Sequence, residues 1–377
     1  MSRLISQSTT EAYEAYEAYE AYEAYEAYGH AGAGSASGQL TMKSLNTSRQ
    51  DNQTGLDISQ QQTWLRTTLP PDANAIDQLP ALDNPEHLKR WKSSYRDAVI
   101  LTDLMSGLVF DKIDGKAATA GENATPNAGL VQYRNAGCEL SDLVQINRPT
   151  QAHFLAQMQV VFSRAAQRDA RTPEILTQMK PQFAYWASIC NLSASRTPKT
   201  IELISTLLQF VMMVTQRLKH MLACPRPVEY SSLIQPIIPT PEHGSLPSGH
   251  ATEAFFVAHV LTNLLGGGNP EKIQLFRLAR RIADNRVVAG VHFPADSAAG
   301  YVLADALASF VVARATGAKT TDEKSRIFTI AGVSEASDFD PRDIDQWRTF
   351  GNAAWVQVPR SDLLHWLWDG AQKEFAY

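Results

Sequence analysis

Three short segments place ionisable side chains inside otherwise apolar sequence. Lys219-His-Met-Leu-Ala-Cys-Pro-Arg226-Pro227 closes one apolar run, Pro247-Ser248-Gly249-His250 directly precedes another, and Asn285-Arg286-Val-Val-Ala-Gly290-Val-His292-Phe-Pro-Ala-Asp296 precedes a third. Lys219, Arg226 and Arg286 are cations in segments expected to be buried, where unpaired positive charge is costly, so they require an anion. Ser248 and Gly249 stand where a helix is about to begin. Their N–H groups are free donors at the positive end of its dipole, and Gly249 lets a ligand approach the backbone closely. Three cations and a helix start describe a pocket for a tetrahedral oxyanion better than a carboxylate site.

Two histidines add reactivity. Asp296 follows His292 by one helical turn, a spacing that lets the carboxylate fix the imidazole tautomer. An imidazole held neutral is a nucleophile or a ligand, and His250 is then available as general acid and base. A lone Lys-x6-Arg-Pro is incidental in most chains; the three segments in this order are not.

Taken together they closely resemble the type 2 phosphatidic acid phosphatase / vanadium-dependent haloperoxidase superfamily, whose pattern is Lys-x6-Arg-Pro, Pro-Ser-Gly-His and Ser-Arg-x5-His-x3-Asp. The match runs through Lys219, Arg226, Pro227, Pro247, Ser248, Gly249, His250, Arg286, Gly290, His292 and Asp296, with Asn285 where the family has Ser. It spans about residues 200–315. The resemblance implies an α-helical bundle and one pocket with two chemistries. As a haloperoxidase, the chain would take vanadate as cofactor, with His292 as the one protein ligand to vanadium, and oxidise halide with hydrogen peroxide. His250 would then be the acid/base, and Lys219 would polarise the peroxide. As a soluble acid phosphatase it would need no cofactor: His292 would attack phosphorus, and Lys219, Arg226, Arg286, Ser248 and Gly249 would hold the oxygens. His250 would protonate the leaving group.

His243 stands seven residues before His250, where algal bromoperoxidases of this family have a second active-site histidine. Against that, Gln216 takes the place of the tryptophan that haloperoxidases have three residues before the lysine, and Gly244-Ser245 resembles the acid phosphatase loop. The haloperoxidase reading is preferred, because the helical region before the motifs is long. A non-enzymatic oxyanion-binding scaffold is disfavoured, since no residue of the pattern is missing.

The elements that position these residues read as helices. Apolar spacing predicts an amphipathic helix over Arg96–Phe110 and further helices over Thr150–Arg168, Ala251–Leu265, Pro270–Asn285 and Ser297–Ala315. Thr172-Pro173 and Thr197-Pro198 are start signals, the first for a helix through Ile189 with a kink at Pro181, the second for a long apolar helix ending before Pro225. Residues 113–149 read as a loop, no alternating strand run stands out, and the expected fold class is all-α. The four tryptophans Trp347, Trp355, Trp366 and Trp368 are expected to pack a final helix, and His220 and His259 to be core histidines.

Residues 1–60 contain the repeat EAYEAYEAYEAYEAYEAY followed by Gly/Ala/Ser/Asn/Gln-rich sequence, which reads as a disordered arm. Residues 61–90 read as an extended arm and 91–377 as one helical domain. The six glutamates of the repeat exceed the whole charge deficit of −5, so nothing marks a nucleic-acid binder. Three cysteines without a CxxC pair argue against a disulfide framework or a Cys-based zinc site. The first ten residues hold no apolar run of signal-peptide type. The longest charge-free apolar stretch, Leu203–Gln216, has 14 residues, short of a span. The expectation is a soluble, cytoplasmic protein, a possible homo-oligomer, acting on small molecules.

Overall fold

A computed structural model describes residues 81–377 except 117–124, 180–181, 267–269, 335–336 and 376–377. The arm at 1–60 and most of 61–90 lie outside these residues. The chain divides into two units, Met1–Arg90 and Trp91–Tyr377. In the first, Pro85–Arg90 forms a 3-10 turn.

The helices of the second unit are α1 (Ser93–Met105), α2 (Gln151–Arg164), α3 (Arg168–Thr177), α4 (Phe183–Cys190), α5 (Pro198–Leu222), α6 (Pro227–Tyr230), α7 (Gly249–Leu264), α8 (Pro270–Val288), α9 (Pro294–Thr316) and α10 (Asp362–Lys373). The centre is α9, which is Ala-rich and buried over most of its length. Such a helix has no polar face to give to water and must be enclosed on all sides. Its most extensive neighbour is α7. Gly300 makes that approach possible: a Cβ there would lie 3.0 Å from both the Ala251 Cβ and the Ser248 carbonyl oxygen. This crossing presses the Pro-Ser-Gly-His segment onto α9. The long helix α5 starts at Pro198, and its first free N–H groups are capped from far along the chain: Lys199 N and Thr200 N donate to the Glu374 carboxylate at 2.7 and 2.8 Å.

The all-α expectation is corrected by a five-stranded mixed sheet in the order β1 (Leu108–Ile113), β2 (Ala128–Arg134), β3 (Leu140–Asn147), β4 (Lys324–Phe328), β5 (Arg348–Ala354). Pairing is antiparallel except between β3 and β4. The sheet packs on α5 and α9; a Cβ at Gly129 would meet Leu218 at 2.9 Å, and Tyr133 lies 5.3 Å from Phe310. Residues 113–149 therefore hold two strands, and the predicted Arg96–Phe110 helix stops at Met105. Pro173 is inside α3 rather than at its start, and α3 and α4 are separate helices. Trp366 and Trp368 lie on α10, but Trp347 stacks on Phe328 of β4 and Trp355 faces Arg326.

Two stretches, Pro198–Tyr230 and Pro294–Thr316, are long and apolar enough to cross a membrane, with 56% and 78% of their most apolar windows buried within the protein. Counting charge-free runs missed them, because mean hydropathy tolerates an occasional charge. The three cysteines are free thiols, Cys138 exposed and the other two buried.

Candidate functional site

Each of the three segments folds for a local reason, and together they meet at one pocket. The last turn of α5 presents Lys219, and the helix ends at Ala223 in a left-handed conformation whose N–H returns to the Lys219 carbonyl. Pro225 cannot continue the helix, so the chain turns and Arg226 becomes the cap of the short helix α6. Ser248 caps α7 through its hydroxyl to the Ala251 N–H, and its own N–H donates to the Asp296 carbonyl at 3.0 Å. Arg286 projects from the last turn of α8. Gly290 then takes a φ of +84°, where a Cβ would sit 2.7 Å from the Arg168 guanidinium and 3.0 Å from Ile234. Only glycine fits there. Arg168 pins the same turn by donating to the carbonyls of Val288, Gln235 and Ile234.

The side chains that result are almost wholly enclosed: Lys219 is 2% exposed, Arg226 and Arg286 1%, His292 4% and Asp296 0%. Lys219 Nζ donates to the carbonyls of Gly244 and Ser245 at 2.8 and 3.0 Å. Arg226 donates to the carbonyls of His243 (3.0 Å) and Val291 (2.9 Å), and approaches His243 Nδ1 at 3.1 Å and His292 Nε2 at 3.5 Å. Arg286 donates one NH2 to the Ile175 carbonyl (3.1 Å) and the Gln178 side-chain oxygen (3.3 Å). Its Nε and NH1 are buried with no partner. A buried, half-satisfied guanidinium is expensive unless a ligand completes it. Over Gly249 a Cβ would meet no atom within 4 Å, so the start of α7 opens onto space.

His292 donates Nδ1–H to the Asp296 carboxylate at 2.9 Å, which leaves Nε2 unprotonated and facing the Arg226 guanidinium at 3.5 Å. Asp296 is held in turn by the Phe293 N–H (2.9 Å) and the Ser245 hydroxyl (3.3 Å). Burial and then the Arg226 and Lys219 charges push the His292 pKa well down. Burial raises that of Asp296. His250, a half-buried residue, is pushed down to about 3 by burial and then by Arg286. His243 has an exposed edge and is pushed down to about 4 by burial and Lys219. His243 Nδ1 lies between the Arg226 guanidinium at 3.1 Å, which calls for an acceptor, and the Gly244 carbonyl at 3.2 Å, which calls for a donor. Burial and then Arg226 lower Lys219, and burial lowers Arg226 and Arg286 to about 10.

The structure thus brings together Lys219, Arg226, His243, Ser248, Gly249, His250, Arg286, His292 and Asp296. Gln216 is exposed on α5. Two histidines differ from expectation: His220 is exposed, and His259 has a buried Nε2 with no hydrogen-bond partner. The sequence reading missed Glu174 and Gln178, whose side chains lie outside any motif, and gave Ser245 no role at Asp296 beyond its place in the loop that resembles the acid phosphatases. It also missed Glu253 on α7, whose carboxyl is raised to about 7 by burial against the pull of Lys219. The donor set is cationic and N–H-rich, which suits an oxyanion such as phosphate or vanadate.

Residues 201–318 match the family described as the PAP2 superfamily. The match covers α7, α8, α9 and most of α5, and leaves the sheet and α1–α4 outside. No curated protein matches the chain.

Proposed function

Residues 201–318 are a PAP2 superfamily domain, and from that we propose that the chain is a haloperoxidase-like enzyme that oxidises halide with hydrogen peroxide when vanadate occupies the pocket. Phosphatase or haloperoxidase-like activity is what the superfamily supports in general. The observation that supports the finer reading is His243, placed against Arg226 at 3.1 Å in the wall of the site, at the position where the resemblance to algal bromoperoxidases puts a second active-site histidine.

The residues fit vanadate on their own geometry: Arg286 presents two unpartnered buried donors, and Gly249 leaves room over the helix start. His292 Nε2 would hold the metal, with Lys219, Arg226, Arg286 and the Gly249 N–H around the oxygens; the Ser248 N–H, expected from the sequence to be free, is taken by the Asp296 carbonyl. Bound vanadate would supply Lewis-acid activation of peroxide. Asp296 keeps the His292 proton on Nδ1. His250, neutral in the free pocket, takes the proton that peroxide gives up on entering. Lys219 neutralises charge on the incoming oxygens.

The second reading is a phosphomonoesterase, favoured by the His292–Asp296 pair. His292 Nε2 would form a bond to phosphorus as the ester P–O bond breaks. The leaving oxygen would take a proton from His250, whose pKa an adjacent dianion raises, and water would then cleave the P–N bond. In both readings α5 and α9 serve as core helices of a soluble protein whose partners are small molecules.

A paired assay separates them, using p-nitrophenyl phosphate alone and then orthovanadate, peroxide and bromide with a phenolic dye. Halogenation that added phosphate suppresses is the expected result. Rapid, vanadate-inhibited ester turnover without halogenation anywhere from about pH 5 to 8, where histidine titrates, would overturn the first reading in favour of the second.

A further inference from the structure

Gln178 follows α3, upstream of the matched family segment, and no motif includes it. Its side chain is fully buried. Oε1 accepts from Asn285 Nδ2 at 2.9 Å and from Arg286 NH2 at 3.3 Å, while Nε2 donates to Glu174 Oε1 at 2.9 Å. The Gln178 backbone also lies near enough to the His250 ring to favour its protonated form. One residue therefore adjoins both the arginine and the histidine that face the pocket.

The orientation of its amide is dictated by its neighbours. A carboxylate only accepts, so Glu174 draws the Gln178 NH2 toward itself, and the carbonyl end must face Arg286. Asn285, where the family has Ser, donates to both Glu174 and Gln178 at 2.9 Å and fixes the pair. Glu174 is itself occupied by Arg281, whose Nε lies 3.0 Å and NH2 2.7 Å from the carboxylate. The hydrogen bonds that hold Arg286 thus come from neutral acceptors, the Ile175 carbonyl and the Gln178 amide.

Resting on the oxyanion-pocket reading above, we propose that Gln178 is a positioning residue: it holds Arg286 through a neutral oxygen, so that no carboxylate is hydrogen-bonded to the guanidinium that meets the oxyanion. A carboxylate in the same place would hold the fork equally well and cancel its charge.

The test uses the full chain and orthovanadate, with affinity read by calorimetry and folding by melting temperature. Exchanging the two side chains, Glu174→Gln with Gln178→Glu, moves one carboxylate onto Arg286 at constant total charge. Affinity should fall roughly tenfold or more, whereas Glu174→Gln alone should stay within about threefold. Gln178→Met, which is neutral and of similar size, should lose about threefold or more by freeing the fork. A folded exchange variant that binds within about twofold of the parent overturns the inference. If the exchange variant does not fold, Gln178→Met decides by the same twofold criterion. A parent chain that takes no vanadate overturns the oxyanion reading as well. A parent that binds, beside an indifferent exchange variant, overturns this inference alone.

Discussion

His292 and Asp296 sit one turn apart at the start of α9, with Nδ1 2.9 Å from the carboxylate. The same carboxylate accepts from the Phe293 N–H and so also caps the helix that bears it. The geometry that starts α9 is therefore the geometry that turns His292 Nε2 toward Arg226, at 3.5 Å. Fold and chemistry share one carboxylate.

Asp296→Asn separates the two roles. Asparagine still offers an oxygen to the helix start but cannot enforce the Nδ1–H tautomer. Turnover in whichever arm of the paired assay is active should fall by roughly 10² or more, while the chain stays folded by circular dichroism. Activity within about threefold of the parent would show that the tautomer is set elsewhere.

Lys219 predicts a proton linkage. Burial and then Arg226 push it down to about 7, so at pH 8 the free pocket holds it largely neutral. An oxyanion beside it favours the charged form and raises its pKa. Phosphate or vanadate binding at pH 8 should then take up on the order of half a proton or more. Uptake should shrink toward pH 6, where the lysine is already charged. The dependence of binding enthalpy on buffer ionisation heat measures this; no uptake at pH 8 contradicts the shift.

The gathering of Lys219, Arg226 and Arg286 around His292 was legible in the sequence because charge inside apolar helical sequence is conspicuous. Lys219, Arg226 and Arg286 each break a hydrophobic pattern, and Gly290 precedes His292 for a steric reason that the +84° φ makes explicit. The strands were not legible. In β2, Ala128 to Val131 are all buried, so both faces are covered and no polar-apolar alternation survives to be read. Gln178 escaped for a different reason: it is an uncharged amide just past the end of α3, outside any motif, and its contacts come from three neighbours that only the tertiary fold supplies. Pro173 misled because a proline marks a helix start in isolation, whereas here the chain continues into α3 from an earlier turn tied down by Arg168.

Asp97 predicts a pH effect on stability away from the pocket. It is buried on α1, accepts from the Thr206 hydroxyl at 2.7 Å, and is raised to about 7 chiefly by burial. Its folded pKa exceeds its unfolded one, so between about pH 4 and 7 the folded chain binds more protons, and stability falls as pH rises through that window. Asp97→Asn keeps an acceptor for Thr206 and removes the buried charge. It should stabilise the protein by about 1–2 kcal/mol at pH 8 and change little at pH 5. A lower melting temperature at pH 8 would contradict this.

The central claim is that Lys219, Arg226, Arg286 and the start of α7 bind one tetrahedral oxyanion against His292. Calorimetric titration with orthovanadate tests it most directly, in the parent chain and in Arg286→Ala. The parent should bind one equivalent, displaced by phosphate, and Arg286→Ala should lose about 2–4 kcal/mol of binding, as expected for charge-assisted contacts to a buried anion. No binding by the parent, or an Arg286→Ala variant with unchanged affinity, would contradict it.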